Sequence, residues 1–130
     1  MTIRHAYAEL GTALASSGNK DSALTVLNYG YKMLDPTSAP YGMVSAGNSE
    51  NIESLQFAYA FYLAGDTKRG DQIGAAIIRD CEQQIAYYNS LSEEEAASFQ
   101  QDRQSAEGIM RQLQGLKMSF GHPANPKANP

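Results

Sequence analysis

The chain has 130 residues, which is long enough for one domain with a single hydrophobic core. Hydrophobic residues make up 42% of it, a value typical of a folded globule and not of a disordered chain. The net charge is -4, and the Lys and Arg residues are scattered, so the composition argues against a nucleic-acid-binding protein. The uncharged runs are too short for a membrane span of roughly 20 residues, and the N-terminus lacks the apolar core of a signal peptide.

Residues 3–36 predict a helical hairpin. Apolar residues recur at helical spacing in two segments, at Ile3, Ala6, Tyr7, Leu10, Ala13 and Leu14 and again at Ala23, Leu24, Leu27, Gly30, Tyr31 and Leu34. Gly18 separates the segments and suits a C′ position with positive φ. The second helix is expected to end at Asp35-Pro36. A turn this short makes the two helices antiparallel.

The next segment, residues 36–50, contains two Pro and two Gly without periodicity and predicts a long connecting loop. Two interpretations stay open, a functional element and a simple insertion. Tyr41, Met43 and Val44 are expected to fold back onto the core, because clustered apolar side chains rarely stay in water.

Residues 51–65 predict the central helix of an all-α domain. No charged residue occurs from position 54 to position 65, and two apolar stripes run along nearly opposite sides of the helix. One stripe contains Phe57, Phe61 and Ala64, and the other contains Ile52, Leu55, Tyr59, Tyr62 and Leu63. A helix that is apolar on both sides is expected to be enclosed by other helices.

A long helix is predicted from Thr67 to about Asn89, with Asp66 as its N-cap. Its apolar face consists of Ile73, Ile77, Cys81, Ile85 and Tyr88. Gly70 and Gly74 lie on one face and are expected to allow close approach of a neighbouring helix. Cys81 is the single cysteine, which excludes an internal disulfide and a cysteine-based zinc cluster. We interpret it as a small buried hydrophobe, with a reactive thiol as the alternative.

Ser92 and Glu95 form a capping-box pattern that predicts the start of the last helix, which runs to about Ser119. The acidic run at 93–95 could be mistaken for a metal site, but a capped helix start explains it. The apolar stripe of this helix contains Phe99, Ala106, Ile109, Leu113, Leu116 and Phe120. Residues 1–120 are therefore predicted to form one helical domain of about five helices, followed by a disordered Pro-rich tail at 121–130.

The two predicted hairpins form an internal repeat, because residues 10–24 align with residues 57–71 at an offset of 47. In the first copy Tyr7, the pair Leu10-Gly11, and the later Leu14, Ala23, Leu27 and Gly30 resemble a tetratricopeptide repeat, whereas Pro36 falls one residue late. The second copy is degenerate, with Phe57-Ala58 in place of Leu-Gly and Gly70 in place of Ala23. The resemblance implies two antiparallel helical hairpins followed by a C-terminal capping helix.

A second resemblance covers about residues 3–118. It is carried by Lys20-Asp21-Ser22-Ala23-Leu24, Pro40-Tyr41-Gly42, Ala64-Gly65-Asp66 and Tyr87-Tyr88-Asn89-Ser90-Leu91. In this order and spacing the segments resemble the soluble C-terminal region of multi-spanning Bacteroidetes membrane proteins that are similar to protein O-mannosyltransferases. That resemblance implies an accessory domain in the periplasm, with the catalytic part upstream. A full-length chain of this sequence would instead be cytoplasmic.

The leading functional hypothesis is a binding module for a protein, a peptide or a glycan acceptor. Tetratricopeptide arrays hold peptides on the concave face of their first helices. Carried over to this chain, that use implies His5, Ala8, Thr12, Ala15 and Ser16 in the first copy, and a candidate binding face of Ile52, Leu55, Tyr59, Tyr62 and Leu63 in the second. The alternative for the second set is that the long loop or the last helix covers it.

Two further hypotheses compete with the binding module. The first is a purely structural domain that docks on its own membrane part or self-associates without a separate ligand. The second is an enzyme, which we do not expect. His5 and His122 are far apart in sequence, and no nucleophile motif, phosphate loop or acid pair beyond the helix caps occurs. No cofactor, metal ion or catalytic residue is therefore predicted, and the oligomeric state is left open.

Overall fold

The computed structural model describes residues 3–33 and 49–120, and within these ranges it contains six helices and no strand. The prediction of an all-α fold is confirmed, with one helix more than the predicted five or so. The helices are α1 (Ile3–Ser16), α2 (Lys20–Met33), α3 (Ser49–Leu63), α4 (Thr67–Asn89), α5 (Glu93–Ala97) and α6 (Gln100–Phe120). Most of the predicted loop at 36–50, the end of the second helix at Asp35-Pro36, and the tail at 121–130 lie outside the described residues.

Two turns of the same geometry close the hairpins. Gly18 follows α1 with φ 89°, and Gly65 follows α3 with φ 95°. The amide after each glycine donates to a carbonyl five residues earlier, from Asn19 to Leu14 at 2.8 Å and from Asp66 to Phe61 at 2.9 Å. This is the Schellman arrangement, which places a residue without Cβ in the left-handed region. The two glycines are 47 residues apart, which is the offset at which residues 10–24 and 57–71 align.

The helices form two layers. α1, α3 and α6 lie side by side in one layer, while α2 packs on α1 and α4 packs on both α3 and α6. Small residues bring the first pair of helices close together. A Cβ on Gly30 would lie 2.7 Å from Tyr7 Cγ, and one on Gly11 would lie 2.5 Å from Leu27 Cδ2. The two glycines therefore set the distance between α1 and α2.

α3 is the central helix, as predicted. Phe57, Ala58, Ala60 and Phe61 have no exposed surface. The rings of Phe57 and Phe61 meet edge to face at 5.3 Å, and Tyr31 of α2 meets Phe61 in the same way at 6.3 Å. The absence of charge in this segment is explained by contacts of α3 with α1, α2, α4 and α6.

The C-terminal part differs from prediction at one point. The capping box of Ser92 and Glu95 is present, but α5 ends at Ala97, and a separate α6 starts at Gln100. Phe99 lies between the two helices, and its ring stacks on Tyr88 at 5.3 Å. Contact with α4 thus interrupts a segment whose periodicity predicts one helix. Further along, α6 buries Ala106, Ile109 and Leu113 against α4.

Candidate binding groove

A groove lies between α1 and α3, on the side of their layer that faces away from α2 and α4. Its volume is about 540 Å³. It is lined by His5, Ala8, Glu9, Thr12, Ala13, Gln56 and Tyr59. A second groove of about 410 Å³ lies between α3 and α6. It is lined by Leu55, Gln56, Tyr59, Gln112, Gly115, Leu116 and Ser119. Gln56 and Tyr59 belong to both linings, so the two grooves adjoin along α3.

Residues that lie 47 positions apart, on α1 and on α3, contribute to the lining of the two grooves. Adding 47 to His5, Ala8, Glu9 and Thr12 gives Ile52, Leu55, Gln56 and Tyr59, and all of these except Ile52 line one or both grooves. Spacings of three and four residues keep such positions on one face of a helix. Two helices that pack side by side in the same orientation therefore present equivalent faces to the groove.

The polar groups of the first groove connect α1 to α3. His5 Nδ1 lies 2.8 Å from Gln56 Oε1, a distance at which the ring N–H donates to the amide oxygen. His5 Nε2 lies 3.5 Å from Glu9 Oε1. Glu9 is the one Asp, Glu, Lys or Arg residue that lines either groove in the described part of the chain. The remaining polar lining consists of hydroxyl and amide groups, which suit neutral hydrogen-bonding ligands.

The structure separates the members of the candidate binding face. Tyr59 is 37% exposed and lines both grooves, while Ile52 is 42% exposed and lines neither. Leu55 is buried but contributes to the floor of the second groove. Leu63 is half-buried and packs against the core.

Tyr62 is part of the core and does not line either groove. It is 4% exposed, its ring stacks on Phe120 of α6 at 6.2 Å, and its hydroxyl donates to Asp71 of α4. Burial first, and then the hydrogen bond and negative charge of Asp71, raise the pKa of the Tyr62 hydroxyl far above its usual range. The last helix therefore covers Tyr62, as the alternative in the sequence analysis proposed, whereas Tyr59 stays accessible.

The candidate binding residues of the first hairpin also occupy different environments. His5, Ala8 and Thr12 line the groove, Ala15 is buried, and Ser16 is exposed without lining either groove. Sequence reasoning did not single out Glu9, Gln56, or the contribution of α6 at Gln112, Gly115 and Ser119. The repeat offset pairs Glu9 with Gln56 and could have indicated both. No signal in the sequence indicates which face of α6 borders α3.

A buried polar cluster joins α3 to α4 away from the groove. Asp80 is buried, and one of its oxygens accepts hydrogen bonds from Asn51 Nδ2 at 2.7 Å and Gln84 Nε2 at 2.8 Å. The Tyr88 hydroxyl donates to Gln84 Oε1 at 3.2 Å. Burial, followed by the charges of Asp102 and Asp80, raises the pKa of Tyr88. A carboxylate held by two amide donors inside the domain is a structural element that ties the start of α3 to α4.

Cys81 is fully buried, which agrees with its interpretation as a small hydrophobe. Burial, then the negative charges of Asp80 and Glu82, raise the pKa of its thiol to about 11. The thiol therefore stays protonated at neutral pH. Thiolate is the nucleophilic form of cysteine, so the position does not favour thiol chemistry.

Within residues 3–33 and 49–120, no three His, Cys, Asp or Glu side chains are grouped so that they could hold a metal ion. None of the helices described there combines the length and the apolar character that crossing a bilayer requires.

Comparison with protein-family models, with curated proteins and with solved structures gives no match.

Proposed function

We propose that this chain is a non-catalytic interaction domain that holds a peptide segment of a protein partner in the groove across α1, α3 and α6. The observation that carries the proposal is the position of Tyr59, which is exposed at the join of two grooves that share it and Gln56. An exposed tyrosine supplies a rigid apolar surface together with a hydroxyl.

The chemistry of the lining favours a peptide. Gln56 and Gln112 each offer an amide that can donate to a backbone carbonyl and accept from a backbone N–H. Ala8, Ala13 and Gly115 leave room for side chains between these polar groups. Glu9 would favour a basic residue at the α1 end of the ligand. An extended peptide crossing three helices uses all of these groups together.

The resemblance to tetratricopeptide repeats supports this use, because such arrays hold peptides on the equivalent face. On the second resemblance alone, we place the domain in the periplasm as the accessory part of a membrane glycosyltransferase-like protein. Its partner would then be an acceptor protein or the membrane part of the same polypeptide.

Selection of peptides from a random displayed library on the whole chain tests the proposal. Enriched peptides, synthesised and titrated by calorimetry, should bind in the micromolar range. Tyr59→Ala should weaken this binding at least about tenfold, because a tyrosine at the centre of an interface commonly contributes more than 1 kcal/mol. Tyr87→Ala is the matched control, because Tyr87 is 55% exposed on α4 and lines neither groove.

Three results would overturn the proposal. Peptides that bind Tyr59→Ala as tightly as the unmodified chain would show that the groove is not their site. Failure to select any peptide, together with binding of a glycan on an array, would indicate a carbohydrate ligand. If neither class of ligand binds, the purely structural alternative takes precedence.

A further inference from the structure

The side of the first hairpin that faces away from the second is apolar. Leu10 of α1 is 49% exposed and Tyr29 of α2 is 59% exposed, and the ring of Tyr29 reaches the ring of Tyr7 at a centroid distance of 6.1 Å. The exposed Ala6 and the half-buried Val26 extend this side along the two helices. We call Ala6, Leu10, Val26 and Tyr29 the N-terminal edge.

The internal repeat shows what kind of surface this edge is. Adding 47 to Leu10, Val26 and Tyr29 gives Phe57, Ile73 and Ala76. Phe57 and Ile73 are buried, and Ala76 packs against the core. In the second hairpin this edge is closed because the first hairpin stacks on it, with α3 against α1 and α2 and the Arg69 guanidinium 3.8 Å above the Tyr31 ring. The N-terminal edge thus repeats a surface that is elsewhere an interface between hairpins.

The opposite end of the stack is mostly polar. α6 closes it, and the exposed face of α6 carries Gln101, Gln104, Glu107, Arg111 and Gln114, with Met118 as its one large exposed apolar side chain. Stacked helical repeats need such a polar terminal face for solubility. A head-to-tail contact between two copies would place the apolar edge on this polar face. A two-fold contact instead places the apolar edge of one copy on the apolar edge of the other. Two-fold symmetry is also the commonest symmetry of soluble oligomers.

We propose that the N-terminal edge pairs with the same edge of a second copy of this chain around a two-fold axis. None of the four edge residues is charged, so the pairing brings no like charges into contact at its centre. The groove residues His5, Ala8 and Thr12 lie on a different face of α1 from Leu10, whereas Ala13 lies beside the edge. The pairing surface therefore borders the first groove without including Gln56 or Tyr59 on α3. This inference stands independently of the peptide-binding function.

Sedimentation equilibrium of the whole chain over low to high micromolar concentration tests the pairing. The unmodified chain should shift from monomer to dimer with rising concentration. Leu10→Glu should raise the dissociation constant at least about tenfold, because two carboxylates would be buried near the axis. Met118→Glu is the matched control on α6, where Met118 is 70% exposed, and it should leave the constant unchanged. Circular dichroism should show unchanged helicity in both variants, since both positions are exposed.

Two variants with opposite charges at Leu10 test whether the contact is two-fold. Leu10→Glu and Leu10→Lys should each stay monomeric alone and should form a mixed dimer at low salt, since opposite charges attract within a Debye length of about 10 Å. A chain that is monomeric at every concentration overturns the proposal, as does a dimer that Leu10→Glu leaves intact. A peptide selected on the groove should still bind Leu10→Glu, which separates failure of the pairing from failure of the proposed function.

Discussion

The hydroxyl of Tyr62 on α3 donates a hydrogen bond to the carboxylate of Asp71 on α4, beneath the ring of Phe120. Tyr59 precedes Tyr62 by less than one helical turn and opens onto the groove. Two tyrosines of one predicted face are therefore expected to have different roles, one in stability and one at the proposed binding surface.

Substitution should separate these roles. Tyr62→Ala should lower the free energy of unfolding by about 3 to 5 kcal/mol, because it removes a large buried ring. Tyr62→Phe should cost about 1 kcal/mol through the lost hydrogen bond. Tyr59→Phe, the matched control, should change it by less than about 0.5 kcal/mol. Urea unfolding followed by circular dichroism measures all three. A Tyr62→Ala variant as stable as Tyr59→Phe would contradict the enclosed position of Tyr62.

Alkaline pH should reduce stability through Tyr62. Its pKa is raised in the folded state, so the unfolded chain loses the phenolic proton first as the pH rises above the ordinary value of 10.0. Stability is then fully present below that pH and declines above it. The free energy of unfolding should decline from about pH 9.5 to about pH 11, a range that brackets the ordinary tyrosine pKa of about 10. This decline should be smaller in Tyr62→Phe than in the unmodified chain. Melting temperatures measured across this pH range test the prediction. An equal fall in melting temperature for both chains would contradict it.

Gly30 should not tolerate a side chain. Alanine is normally favoured over glycine in a helix by up to about 1 kcal/mol, but its Cβ would meet the Tyr7 ring. We expect Gly30→Ala to destabilise the domain by about 1 to 3 kcal/mol through overpacking between α1 and α2. Gly108→Ala is the matched control on α6, because its nearest contact would be Arg111 Nη2 at an ordinary 3.8 Å. That variant should be as stable as the unmodified chain or more so. Thermal unfolding compares the two, and equal melting temperatures would refute the close approach.

Asp80 should be needed to hold the start of α3. Asp80→Ala removes the acceptor that Asn51 and Gln84 share, and two hydrogen bonds to a charged group correspond to a loss of about 3 kcal/mol. Glu82→Gln, at the exposed position two residues along α4, should have little effect. Hydrogen exchange should speed up in Asp80→Ala at the amides of residues 52–55. Equal exchange rates at these amides in Asp80→Ala and Glu82→Gln would mean that the polar cluster does not stabilise the start of α3.

Local physical chemistry made much of the fold predictable. The bounds of α4 agree with prediction from Thr67 to Asn89, and α3 begins at Ser49, slightly before the expected position 51. Positive φ at Gly18 and Gly65 and the capping box at Ser92 were predictable because each depends on a few neighbouring residues. Apolar residues at a period of 3.6 identify a helix without reference to its partners.

The candidate site was predictable only in part. Tyr59 and Tyr62 lie about 60° apart on one helix, and both belong to the same apolar stripe. Periodicity cannot separate them, because the difference comes from α6, whose Phe120 contacts both rings but stacks on that of Tyr62. The contribution of Gln112 and Ser119 to the groove has the same origin.

The sequence by itself determined that the described residues are all-α, where most of their helices begin and end, and that residues 10–24 align with residues 57–71 at an offset of 47. Those properties follow from interactions between residues that are close along the chain. Only the tertiary structure decided which face of α3 is open, why the helix is interrupted between α5 and α6, and that Asp80 is buried in the domain. These depend on contacts between helices far apart in sequence, and the local pattern of residues does not encode where one helix crosses another.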